Sequence, residues 1–188
     1  MTRRHVVALV GLPGSGKTTA LTSVETLPRW YGFGLGDALR VNAAQDTMLA
    51  STLANGQLAP EQTVISLVRA GLSAAGSRNL VVDGFPRHTG QIEDADAIFG
   101  HWSAILLSIT TETALRRLSG RRDLSTVTGI ARPEDGPGVL ASRLVRARAD
   151  LDSLTRTLEE RHHIVVVDAE APTALVIGAI HHHLTHLS

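Results

Sequence analysis

His5-Val6-Val7-Ala8-Leu9-Val10-Gly11-Leu12-Pro13-Gly14-Ser15-Gly16-Lys17-Thr18 decides how the chain folds. The run from His5 to Val10 is apolar and β-branched, which predicts a strand buried on both faces. Gly11 to Thr18 then complete a GxxxxGK[ST] phosphate-binding loop, and residues 18–27 read as a short helix. The glycines therefore sit at a strand-to-helix turn, where a helix N-terminus offers unpaired amides to an anion. Lys17 is the one lysine in a chain whose lysines and arginines number 18. Arginine serves on most solvated faces, but a ring of backbone amides around β and γ phosphates leaves room only for a compact ammonium.

Working outward, short apolar runs recur at 31–35, 80–82, 104–109 and 164–167, separated by helix-length segments. That alternation predicts an α/β fold, a parallel sheet with helices on both faces. One helix stands out: Leu140, Leu144, Ala147, Leu151, Leu154 and Leu158 step by four and three behind Pro137. Arg143, Arg146 and Arg148 fall around this stripe. A further helix is expected from Pro60, with Glu61 in its first turn and Val64, Leu67, Val68 and Leu72 buried. The segment 121–138 lacks useful periodicity and is rich in Gly and Pro, so it reads as a long loop of the kind that serves as a lid.

A second motif, Asp83-Gly84-Phe85-Pro86-Arg87, follows the run Leu80-Val81-Val82. An aspartate ending a strand beside a phosphate loop suits Mg²⁺ or its waters, as does Thr18. Gly84 and Pro86 turn the chain so that Arg87 projects from the carboxyl edge of the sheet.

Composition narrows the field. The 188 residues suffice for one domain with a real core. Eighteen acidic residues balance 18 basic ones, so no polyelectrolyte surface for nucleic acid is implied. The absence of cysteine excludes a disulfide framework and fits a reducing cytoplasm. Arg3 and Arg4 precede an apolar run, yet Gly11 and Pro13 cut it short for a signal segment, and no stretch is long enough to cross a bilayer. His181, His182, His183 and His186 lack an accompanying carboxylate and read as a solvated terminal face rather than a metal site.

These motifs together resemble the adenylate kinase family of nucleoside monophosphate kinases over most of the chain. Gly36-Asp37-Ala38-Leu39-Arg40 is similar to the family's Gly-Asp-x-Leu-Arg segment, and Asp-Gly-Phe-Pro-Arg to its signature. Arg117 and Arg121 resemble arginines entering its lid, and Arg132 and Arg143 the pair leaving it. The resemblance implies a P-loop NTPase fold with a five-stranded parallel sheet, a core of 1–35, 78–120 and 139–188, a monophosphate-binding insert over 36–77 and a short lid over 121–138. It implies transfer of the γ-phosphoryl of ATP·Mg²⁺ to a monophosphate, AMP foremost, by a monomer. ATP would meet Gly14, Ser15, Gly16, Lys17, Thr18, Thr19, Arg117, Arg121 and Ala171. The acceptor would meet Gly36, Arg40, Gln57, Leu58, Ala59, Gly84, Phe85, Arg87, Gln91, Arg132 and Arg143, and the catalytic groups would be Lys17, Arg87, Arg121, Arg132 and Arg143. The remaining arginines 116, 122, 146 and 148 read as solvated.

Three positions depart from the family: Leu35 replaces a hydroxyl residue near the base, Thr18 a glycine, and Ala20 a glutamine. A UMP/CMP kinase, another small-molecule kinase of the same loop class, and a nucleotide-dependent switch are the alternative readings.

Overall fold

A computed structural model describes residues 4–128 and 137–187, with side chains for 4–120 and 142–187. Five strands, β1 (Val6–Gly11), β2 (Trp30–Gly34), β3 (Asn79–Asp83), β4 (Ser103–Ser108) and β5 (His163–Asp168), form one sheet in the order β2-β3-β1-β4-β5. Every pairing is parallel. The apolar runs seen in the sequence are these strands to within a residue or two, and parallel pairing obliges a crossover between each pair, which the helices provide.

Alternation along β1 sorts the core into two layers. Val7 and Leu9 pack with Val81, Ile105 and Leu107 beneath Ala20, Leu21 and Val24 of α1 (Lys17–Val24), Ala114 and Leu118 of α6 (Thr111–Thr128), and Ile180 and Leu184 of α8 (Thr173–His186). Val6, Ala8 and Val10 face the other way. With Leu80, Val82 and Ala104 they pack against Leu35 and Leu39 of α2 (Leu35–Ala43), Leu49 of α3 (Thr47–Ala54), Val64 and Val68 of α4 (Glu61–Ala74), Ile92 and Ala95 of α5 (Ile92–Phe99), and Leu154 and Leu158 of α7 (Pro137–Arg161).

Local chemistry sets several boundaries. Asp46 caps α3 by accepting the Leu49 N–H at 3.0 Å. Gly71 of α4 admits Phe33 of β2, since a Cβ there would lie 2.5 Å from the ring. Asp96 gathers the lower end of the molecule: it accepts Trp102 Nε1–H and an Arg161 N–H, each at 2.8 Å, and so ties α5 to the end of α7.

The helix expected from Pro60 and the apolar stripe behind Pro137 are α4 and α7, with Leu144, Leu154 and Leu158 buried. The loop expected over 121–138 is shorter than its sequence suggests. Helix α6 continues through Thr128 and α7 begins at Pro137, so only 129–136, outside the described residues, separates them. Extending a formed helix costs little per residue, and it needs no apolar repeat to do so.

Candidate active site

The ends of β1 and β3 and the helices α1, α2, α6, α7 and α8 enclose a cavity of about 580 Å³ at the carboxyl edge of the sheet. Ligands in open parallel sheets bind at this edge, where successive crossovers leave in opposite directions. Here β1 is central, flanked by β3 and β4.

The phosphate loop forms the cavity floor. Ser15, 2% exposed, donates its N–H to Leu12 O at 3.1 Å, tightening the turn. Gly14 (φ +85°) is pressed on α6, where a Cβ would meet Ala114 O at 2.9 Å and Leu118 Cγ at 3.1 Å. Gly16 (φ +97°) differs: a Cβ there would meet nothing within 4 Å. Its backbone faces open space directly before the first turn of α1, as an anion cradle requires. Lys17 Nζ donates to Gly11 O at 2.8 Å and to Leu12 O at 2.9 Å, so the ammonium lies within its own loop. Thr18 and Thr19 also line the cavity.

Beside the loop, Asp83 stands at the end of β3 in register with Leu9 of β1, and Gly84, Pro86 and Arg87 continue the wall. Gln91, only 6% exposed, fixes this turn by accepting the Arg87 backbone N–H at 2.8 Å through Oε1. From α2, Gly36, Asp37 and Arg40 face the same space, with Arg40 Nη2 paired to Asp37 Oδ1. The turn after α3 adds Gly56 and Leu58.

The third wall combines α6, α7 and the turn after β5. Arg117 donates to Ala169 O at 2.8 Å, and Ala169, Ala171, Val176 and Ile177 extend an apolar surface beside it. Helix α7 contributes Arg143, Arg146, Ala147, Asp150, Leu151 and Leu154, which share one helical stripe.

The structure thus brings Lys17, Arg40, Asp83, Arg87, Arg117 and Arg143 around one hollow with Gly14, Ser15, Gly16, Thr18, Thr19, Gly36, Leu58, Gly84 and Ala171. Gln57, Ala59, Phe85 and Gln91 stand outside its lining; Phe85 is fully buried in the core and Ala59 packs against it. The side chain of Arg121 and the whole of Arg132 lie outside the described residues. Arg146, expected to be solvated, is a wall residue, and Asp150 was not anticipated. Both follow from the stripe through Arg143: positions three and seven residues on return to the same helix face. Among the described residues no cluster of three metal-ligating side chains occurs, histidines included. Nor is any helix there long and apolar enough to cross a membrane.

Comparison with known proteins agrees with this geometry. A family model described as an AAA domain matches residues 10–130. The chain is similar to an adenylate kinase of Nitrobacter winogradskyi, 31% identical over 174 residues that make up 85% of this chain and 83% of that one. It is 32% identical over 121 residues to the adenylate kinase of Borrelia recurrentis, covering 62% of this chain and 56% of the other. Adenylate kinase isoenzyme 5 of Mus musculus is 28% identical over 179 residues, 89% of this chain and 30% of its own. The chain spans little more than half the length of the Borrelia relatives it matches.

Proposed function

The chain is an AAA-domain protein that belongs to the adenylate kinase family, and on that premise we propose that it transfers the γ-phosphoryl group of ATP to a nucleoside monophosphate, AMP foremost. The observation that carries this reading is the pairing, across one cavity, of a phosphate loop with a second cationic wall. Lys17 and the loop amides suit the donor triphosphate; Arg40 and Arg87, projecting from α2 and the turn after β3, suit a second phosphate. A protein that only switches on a nucleotide needs the first of these and not the second.

Phosphoryl transfer asks chiefly for alignment and charge stabilisation, because little covalent work falls to the protein. Arginine forks grip two oxygens at once and hold the acceptor oxygen in line. The Lys17 ammonium exchanges its carbonyl partners Gly11 and Leu12 for phosphate oxygens as the donor arrives. Arg143 reaches the same space from α7, and by the resemblance to the family Arg121 serves the donor and Arg132 the acceptor. The insert over 36–77 holds the acceptor and 121–138 acts as the lid.

Asp83 and Thr18 fit a nucleotide-borne Mg²⁺: one carboxylate and one hydroxyl line the cavity, and this ion keeps waters and phosphates as its other ligands. When bound it would neutralise charge on the phosphates. Support for AMP comes from the likeness to adenylate kinases. Gln91, whose Oε1 is engaged by the Arg87 N–H, serves the acceptor by steadying that turn.

The test is to supply ATP·Mg²⁺ with each monophosphate in turn and separate the products. ADP formed from both substrates in equal amounts supports the reading. CDP or UDP as the dominant product transfers it to a pyrimidine acceptor, and free phosphate regardless of acceptor favours a switch.

A further inference from the structure

One exposed carboxylate ties the turn after β5 to the start of α6. Glu170 Oε1 accepts the Thr110 backbone N–H at 2.9 Å and the Thr110 hydroxyl at 2.7 Å. The same Thr110 oxygen accepts the Thr113 N–H at 3.2 Å, the capping contact of α6. On the turn itself, Glu170 N–H donates to Asp168 Oδ1 and Ala169 N–H to Ser108 O, both at 2.9 Å. Ala169 O receives Arg117, which follows Thr110 by two helical turns. The turn and the helix are therefore fastened at two points, one of them Glu170.

Both fastened parts face the cavity. Arg117 and the turn residues Ala169 and Ala171 line it side by side, joined by the Arg117–Ala169 O bond, and Val176 and Ile177 line it as well. Helix α6 also backs the phosphate loop through Ala114 and Leu118. A planar guanidinium and aliphatic side chains lining the same cavity as a phosphate cradle make a slot suited to the ring of a nucleotide whose phosphates occupy that cradle. Glu170 does not line the slot. It acts from outside.

We propose that Glu170 is a positioning residue for the donor nucleotide: by holding Thr110 it sets how the turn bearing Ala169 and Ala171 sits against the start of α6, the helix that carries Arg117 and backs the phosphate loop, and hence the fit of the donor base. The inference rests on the reading that the cavity takes ATP. The bonds from Thr110 hold the Glu170 carboxyl below the usual carboxylate range, so the clasp is ionised at neutral pH.

The experiment compares the full chain with Glu170→Ala, Glu170→Gln and Thr110→Val. ATP·Mg²⁺ binding is measured by calorimetry, and kinetics are run with donor and acceptor varied separately. The expected result is a rise of about tenfold or more in Kd and KM for ATP in Glu170→Ala, with kcat and acceptor KM unchanged. Glu170→Gln, whose amide oxygen still accepts from Thr110, recovers part of the loss; Thr110→Val loses part of it. Preference for ATP over GTP narrows in Glu170→Ala. An unchanged Kd for ATP, or an equal fall in donor and acceptor parameters, overturns the proposal. Should Glu170→Ala fail to fold, the Gln and Val variants decide by the same split. A wild-type protein that binds ATP but transfers to no monophosphate removes the kinase reading, while the Kd comparison still decides the clasp. No ATP binding at all overturns both.

Discussion

Lys17 and Arg87 line the same cavity, and under the proposed function they answer to different phosphates, so their removal should fail in different ways. Lys17→Met is expected to lower kcat by about 100- to 1000-fold, the scale seen when one preorganised donor to developing charge is lost. Arg87→Ala should instead raise acceptor KM steeply and leave ATP affinity intact; steady-state kinetics with calorimetry separate the two. Gln91→Ala removes the buried side-chain acceptor of the part-buried Arg87 backbone N–H and should cost about 1 kcal/mol in a urea melt, with a rise in acceptor KM as the Arg87 turn loosens. The phosphate loop and the turn after β3 were legible in the sequence because each is a contiguous motif, although Gly14 also packs on the distant α6. Arg146 and Asp150 were not. Charged groups on α7 look alike whether they face bulk water or a polar cavity, and periodicity records only which side is apolar.

At the level of elements, α8 carries a titratable weak point. His183 stacks on His163 of β5 at 5.9 Å between ring centroids, and His182 and His186 are close by. Burial, with repulsion from those three imidazoles, pushes the His183 pKa below its ordinary 6.5. A histidine with a folded value below its unfolded one binds fewer protons when folded, so its stability contribution is whole above the unfolded value and lost as pH falls beneath it. The thermal unfolding temperature should therefore drop as pH falls from about 7.5 to about 5.5. The drop should shrink in His183→Leu; an equal drop in both proteins would remove His183 as its source. The strands were readable from their β-branched runs, and α7 from its leucines. The end of α6 was not, since a polar helix growing from a packed first turn leaves no apolar rhythm to read.

Across the whole molecule, formal charge sums to zero, yet Lys17, Arg40, Arg87, Arg117, Arg143 and Arg146 all line one hollow. Three carboxylates, Asp37, Asp83 and Asp150, line it too, with Arg40 paired to Asp37, so the lining carries an excess of cations that entering anions would offset. A bisubstrate nucleotide joining donor and acceptor phosphates should raise the melting temperature well beyond ATP or AMP alone. Linkage gives about 2.7 kcal/mol at 100 times Kd for a single ligand, and a joined ligand exceeds this through its lower Kd. Scanning fluorimetry at matched free concentrations checks this, and equal shifts for all three ligands would mean that the two phosphate walls are not filled together.

The Nζ atom resting between Gly11 O and Leu12 O belongs to the sole lysine side chain of the polypeptide. An amine-directed reagent consequently has one side-chain address, inside the nucleotide cradle, and an endoprotease that cleaves after lysine has a single bond to cut. Labelling or nicking at that address becomes a direct gauge of occupancy, readable by mass spectrometry without any assay of turnover.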